Sequence, residues 1–339
     1  AEAVLDDILG RAGLDGVTLS AAYHAARDVL PHARGARVRG LPAGLWLRRD
    51  PAVWDGCPIQ PARAGDDASE AAVAALVEHA AARGAVVDGW SVFLHVDADA
   101  PTAGTHLNAF GDPYVDQLCP ARAASRAYAV AMARAILRAG MGEVLAESLH
   151  HHGLEHGVHH ERYLLEPGAT ARLLLGLCLC DDCVAGATAA GADGPGLRRA
   201  IADALQGVLD TGRPLAGDVS TRAGAAALFG GELGALLDAR EAAVTSLAGE
   251  VAAACADEGG RLTVLDSSGA AKGYADGRPT GGPALEIGWL FGIDAAGIAE
   301  HCGIEAIAYA AEPARVDLDL GTYRAAVGDG DLCAVLRPF

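Results

Sequence analysis

The 339-residue sequence predicts an α/β chain that closes as a single (β/α)8 barrel, and three observations point there. Short apolar runs alternate with longer helical stretches, and about eight such runs can be counted. No Gly-rich phosphate loop follows the first run, as an open dinucleotide-binding sheet would require. No linker or low-complexity segment interrupts the alternation. Residues 1–339 therefore read as one barrel domain with a helical insertion around 196–258.

Taken in order, "GVTLSAAYH" (16–24) is the first strand and "AARDVLPHARG" a short helix. "AGLWLRR" (43–49) is the second strand, followed by a Pro-rich loop. "DASEAAVAALVEHAAARG" (67–84) is a helix that Asp67 or Ser69 caps and Gly84 ends. "AVVDGWSVFLHVD" (85–97) is the third strand, "ARAASRAYAVAMARAILRAG" (121–140) a helix, and "GEVLAESLH" (142–150) the fourth strand. "RLLLGLCLC" (172–180) reads as a strand or the end of a helix. Helices fill 196–258, and "RLTVLDSS" (261–268) and "IEAIAYAAE" (304–312) are strands. Between them, "ALEIGWLFGID" (284–294) reads as a short strand.

Hydrophobic residues make up 51% of the chain but aromatics only 5%, a bias toward Ala that favours helices and close packing. The 26 Lys and Arg against 44 Asp and Glu leave a net charge of −18, which disfavours nucleic acid and anionic membranes as partners. No run of 18 apolar residues occurs, and the first residues lack the basic and apolar regions of a signal peptide, so the cytoplasm is the expected compartment. Eight cysteines are too sparse for a disulfide scaffold. No motif calls for an organic cofactor. Self-association is left open.

In a barrel the chemistry lies at the C-terminal ends of the strands. Those ends carry Tyr23 and His24, His95 and Asp97, Glu147, Asp266, and Tyr309 with Glu312. Glu147 follows the apolar "VLA", where desolvation raises a carboxyl pKa toward what a general acid needs. The bland alternative is a Glu bonded to loop backbone. Six histidines lie between 150 and 160: His150, His151, His152, His156, His159 and His160. Spacings of four would let two share a metal, but no Glu stands between paired His as in metalloproteases. Histidines also pack loops and bind sugar hydroxyls without a metal.

Cys178, Cys180 and Cys183 form C-x-C-x-x-C, three thiolates where a structural zinc needs four ligands. Plain buried thiols and a redox pair are the alternatives. Of the other five cysteines, Cys119 stands out in "DQLCPARAASRAY", just before a helix. Over roughly residues 85–185, the chain resembles the zinc-bearing β-galactosidases among the retaining glycoside hydrolases. Those (β/α)8 enzymes have a Cys-Pro at the matching helix start, the acid/base Glu at the end of strand four, and a C-x-C-x-x-C cluster soon after. Here the order is Cys119-Pro120, Glu147, then Cys178, Cys180 and Cys183. The resemblance implies a structural zinc held by four cysteines, with Cys119 as the fourth ligand. It departs where the family has Asn before the acid/base, since this chain has Ala146, and the family's strand-seven nucleophile has Glu286 as its nearest counterpart. The trimerisation and C-terminal domains of those enzymes have no counterpart here.

The first functional expectation is a carbohydrate-active enzyme taking a saccharide or other small-molecule substrate. Glycoside hydrolysis needs two carboxyls flanking the bond, so Glu147 is the acid and Asp266 or Glu286 its partner. Tyr23, His24, His95, Asp97, Asn108, His151 and Trp289 would bind or stack on the sugar. A second reading is a metal-dependent hydrolase or lyase using His24, His95, Asp97 and the 150–160 histidines. A third is a sugar-binding barrel without turnover.

Overall fold

The computed structural model describes residues 2–30, 35–98, 100–155, 164–273 and 277–337. Eleven strands occur among them. They are β1 (Gly16–Tyr23), β2 (Ala26–Val29), β3 (Val38–Leu41), β4 (Gly44–Leu45), β5 (Val86–Val92), β6 (Thr105–Leu107), β7 (Pro113–Leu118), β8 (Glu143–Glu147), β9 (Arg261–Asp266), β10 (Gly303–Ile307) and β11 (Leu332–Val335). Twelve α-helices join them: α1 (Glu2–Ala12), α2 (Pro51–Trp54), α3 (Asp67–Ala82), α4 (Ala123–Arg138), α5 (Gly168–Leu175), α6 (Asp181–Ala189), α7 (Gly194–Thr211), α8 (Arg222–Ala226), α9 (Glu232–Asp257), α10 (Ser268–Ala271), α11 (Ala295–Ala299) and α12 (Pro313–Val327).

Seven strands form one sheet in the order β11-β10-β9-β8-β5-β1-β4. All neighbours run parallel except the β1–β4 pair. The six parallel strands stand in chain order, each crossing over helices to its neighbour, which is the winding of a barrel rather than of an open sheet with a switch point. The result is a curled half-barrel. Among the described residues no pairing joins β11 to β4, so the expected eight-stranded ring is not closed. The hairpins β2–β3 and β6–β7 lie in the loops after β1 and β5.

Several elements differ from the sequence reading. Residues 284–291 form a 3-10 helix ended by Gly292 at φ 72°, because this run lacks a strand's alternation and its Gly supplies the left-handed stop. Residues 168–175 are the helix α5, with Thr170, Ala171 and Leu174 buried at helical spacing. Where a short helix was expected after Tyr23, Ala26–Val29 pairs instead with Val38–Leu41. The expected strand over 43–49 shrinks to β4. The final strand, β11, replaces one of those lost. The 16-residue α3 is capped by Asp66, whose carboxylate accepts from the Ser69 N–H at 2.9 Å.

Gly89 fixes which face of the sheet meets the helices, since a Cβ there would run into Ile136 and Met141. Val87, Gly89 and Ser91 therefore face α4, while Asp88, Trp90 and Val92 face the inside of the curl. Phe93, Met132, Ile136 and Val144 form the core between these layers, each side chain contributing about 1.5–3 kcal/mol by its burial. A second apolar cluster gathers Leu174, Leu177, Ile201, Leu205 and Leu233 around four cysteines. The 26-residue α9 spans both clusters, with Leu233 and Leu236 in one and Val244, Leu247 and Val251 in the other. Among the described residues, no helix is long and apolar enough to cross a membrane.

Candidate functional site: the strand ends and the thiol cluster

Glu147 ends β8, paired in register with Val92 of β5 and Leu265 of β9. The next residue, Ser148, is buried with φ at 59°, a conformation that non-glycine residues adopt at a strain of about 1–3 kcal/mol. The strain is held from the side. The N–H groups of Phe93 and Leu94 donate to the carbonyls of Glu147 and Ser148 at 2.9 and 3.1 Å. The chain thus turns sharply beyond Glu147 while the glutamate stays on the inner face.

There the Trp90 indole donates to Glu147 Oε2 at 2.8 Å. Burial raises the Glu147 carboxyl above its ordinary pKa, while nearby His24 and the Trp90 N–H pull it down. Tyr23 is brought in by a bulge in β1. The ladder to β5 shifts between Ser20 and Ala22, and Ser91 Oγ accepts from the Ala22 N–H at 3.1 Å. Tyr23 packs its ring edge-on to Trp90 at 5.3 Å, and burial with the nearby Glu147 pushes its phenol up to about 12. Tyr309 beyond β10 is raised for the same two reasons.

Imidazoles extend the cluster. His24 lies 4.1 Å from Tyr23 and 5.8 Å from His95, ring centre to ring centre. His95 is 6.3 Å from His152, which is 5.0 Å from His150. Burial holds His95 and His150 below the ordinary histidine pKa. A cleft of about 520 Å³ adjoins the cluster, lined by Tyr23, His24, Trp90, Trp46, Leu19 and Arg39 among others.

Of the residues expected at the site, Glu147, Tyr23, His24 and His95 are brought together. Asp97 lies just outside them, sharing a small cavity with Tyr23 and His95. Asp266 is buried and turned toward α12, accepting from the Tyr323 hydroxyl at 2.7 Å and the Ser268 N–H at 2.8 Å. Its strand neighbour Leu265 is the one paired with Glu147, so the alternation of side chains directs Asp266 to the other face. Glu286 stands in the first turn of the 3-10 helix, mostly exposed, 3.8 Å from Lys272. Asn108 closes a turn, its Oδ1 accepting from the Phe110 and Asp112 N–H groups. Trp289 is buried against Ala225 and Leu237, away from the strand ends. His151 points away from its neighbours in sequence, toward Arg240 and His106, with neither ring nitrogen hydrogen-bonded. His156, His159 and His160 lie outside the described residues. Trp90 was not among the residues expected at the site. Its part is set by register, since it reaches diagonally to Glu147 from two residues before Val92.

The four cysteines do meet. Cys119 follows β7, and Cys178, Cys180 and Cys183 wrap the start of α6. Their sulfurs all lie within 4.8 Å of one another and all four residues are buried. Cys119 Sγ is 3.4 Å from Cys183 Sγ and 3.8 Å from Cys180 Sγ. Metal–sulfur bonds of about 2.3 Å in a tetrahedron separate sulfurs by roughly 3.8 Å. A disulfide would need about 2.05 Å, and these thiols are free. The donor set therefore fits a metal ion. Its neighbours pull Cys180 down from the ordinary thiol range, while Cys119 and Cys183 are held up, Cys119 by burial and Cys183 by the adjacent sulfurs. The Cys119 N–H donates to Gly104 O at 2.9 Å and the Leu179 N–H to Leu107 O at 2.7 Å, anchoring both ligand loops to the β6 segment. Among the described residues this is the one group of three or more His, Cys, Asp or Glu close enough for a single ion, so the histidines at the strand ends do not form a second.

No protein family matches the chain, and no curated protein does. Among solved structures it is similar to the catalytic domain of β-amylase from Paenibacillus polymyxa, at 11% identity and a TM-score of 0.43, over 80% of this chain and 74% of that one. It is also similar to morphinone reductase in complex with tetrahydroNAD, at 15% identity and a TM-score of 0.28, over 81% and 68% of the two chains. Likenesses this remote carry no argument about chemistry, which rests on the geometry of the residues themselves.

Proposed function

We propose that this chain acts on a carbohydrate or glycoside and that Glu147 donates the proton to the departing oxygen. One observation carries the reading: a carboxyl kept toward its protonated form by burial sits at a strand end, bonded to an indole N–H and facing aromatic rings. The rings of Tyr23, Trp90 and Trp46, which line the adjoining cleft, offer flat apolar faces of the kind on which sugar C–H groups stack. The position of Asp266 against Tyr323 favours a second reading, a saccharide-binding barrel in which Glu147 accepts or donates to a hydroxyl without cleavage. In the same proposal the four thiols hold zinc as a structural ion, since tetrahedral sulfur sites suit that metal. The chain works as one unit with 196–258 inserted, in the cytoplasm, on a small saccharide, with neither nucleic acid nor membrane as partner.

The test compares the parent chain with Glu147→Gln on a panel of aryl glycosides, alongside calorimetric titration with saccharides. The enzyme reading expects turnover by the parent and its loss in the variant with binding retained. Turnover undiminished in Glu147→Gln removes this glutamate from the chemistry. Saccharide binding without turnover by either chain supports the second reading.

A further inference from the structure

Arg240 is among the largest fully enclosed side chains of the protein, with 2% of its surface exposed. It lies on α9, the helix packed against α6, and α6 carries Cys183. One guanidinium nitrogen donates to Leu290 O at 2.8 Å, while Nε and Nη1 have no hydrogen-bond partner. No carboxylate among the described residues forms an ion pair with it. A buried cation without a counter-charge is among the least favourable arrangements a fold can hold. Arginine, moreover, does not escape by losing its proton.

The missing negative charge lies at the cysteines. Four thiolates around a divalent ion leave a net charge of −2 in an apolar cluster, equally in need of compensation. Burial works against the charge on Arg240, and the sulfurs of Cys183, Cys178 and Cys119 are the first groups that work for it. The imidazoles of His106 and His151, also near Cys180, are held neutral by burial and by Arg240 itself. The cavity of about 480 Å³ that Arg240 and Cys183 share is also lined by Arg126, Asp182 and Glu250, but Glu250 pairs with Arg126 at 2.7 Å and Asp182 with Arg122 at 3.7 Å, so these two acids are engaged by other arginines. Among the described residues, the cysteine cluster is the source of negative charge that remains beside Arg240.

We propose that Arg240 is the fixed counter-ion of the metal–tetrathiolate centre, so that metal and arginine each stabilise the other. This rests on the reading that the four cysteines hold a metal. Without the ion, protonated thiols leave Arg240 unpaired; without Arg240, the cluster keeps two uncompensated charges.

The experiment uses the full chain loaded with Zn²⁺, with metal content measured first on the parent. Competition against a chromophoric chelator then compares the parent with Arg240→Met and Arg240→Lys. Arg240→Met weakens metal retention by about tenfold or more, the range usual for lost outer-sphere partners, while Arg240→Lys stays within about threefold of the parent. Equal affinity in parent and Arg240→Met overturns the proposal. Equal losses in both variants also overturn it, because packing and not charge would then be at work. Should Arg240→Met alone not fold, the pair Cys180→Ser and Cys180→Ser/Arg240→Met decides. With the thiolate centre broken, removing the arginine raises Tm if the proposal holds, and a lower Tm overturns it. A parent chain that takes up no zinc refutes the metal reading itself, and this inference with it, a result distinct from metal held indifferently to Arg240.

Discussion

Trp90 and Glu147 meet across two neighbouring strands, indole nitrogen to carboxylate oxygen at 2.8 Å, where the sheet ends. This bond favours the ionised carboxylate against the burial that disfavours it. Trp90→Phe keeps the apolar bulk and removes the donor. The Glu147 pKa then rises further, because the donor that favoured the ionised carboxylate is gone while the burial remains. Because an acid acts while protonated, the falling basic limb of a kcat/KM–pH profile moves to higher pH in the variant. A limb that stays in place or moves down would show that the indole does not tune this acid.

Glu147 also links folding to pH. Its native pKa lies above the unfolded value, so the native state binds more protons between the two. Stability is then greatest below the unfolded carboxyl pKa and falls as pH rises through the native one. Glu147→Gln removes that slope. Denaturant titrations from pH 4 to 8 are expected to show parent stability dropping relative to Glu147→Gln across this window, and parallel curves would contradict the burial-driven shift.

Cys180→Ser takes one sulfur from a buried set of four. The variant is expected to lose one equivalent of metal by elemental analysis and about 3 kcal/mol of stability, which lowers Tm by roughly 5 °C or more at this chain length. Unchanged Tm with no metal in the parent would leave four plain buried thiols.

Tyr323→Phe separates two roles for Asp266. The hydroxyl it removes donates to Asp266 Oδ2 at 2.7 Å, with both residues fully enclosed. Leaving a buried carboxylate one donor short costs about 1–3 kcal/mol. If Asp266 anchors α12 to β9, urea denaturation registers that loss and kcat does not change. A fall in kcat at constant stability would instead return Asp266 to the chemistry.

The sequence made β5 and β8 legible because their apolar runs are bounded by Gly and by strong helices. Glu147 followed from them, as the first polar residue after "VLA". Cys119 joined the other three cysteines through a resemblance in order, and their sulfurs do converge. β11 was hidden because its apolar run is only four residues long and only partly buried. Trp289 and Glu286 were misplaced together: reading 284–294 as a strand set them at a barrel mouth, whereas the 3-10 helix packs Trp289 against Ala225 and Leu237 and leaves Glu286 mostly exposed. Trp90 and Ser148 needed information that pattern lacks. One depends on the pairing of two strands, the other on a backbone angle forced by the chain around it.

The positions of the four sulfurs along the chain carry a consequence for Glu147. Cys119 lies 28 residues before it and Cys178 31 residues after it, so α4 and β8 hang inside a long loop whose two feet meet at the sulfur cluster, where the proposed metal would clip them together. Cinching such a loop strips freedom mainly from the unfolded chain, and opening it gives that freedom back to the strand that presents the acid. A chelator that never comes near Glu147 would in this way slacken the tether on which its alignment hangs.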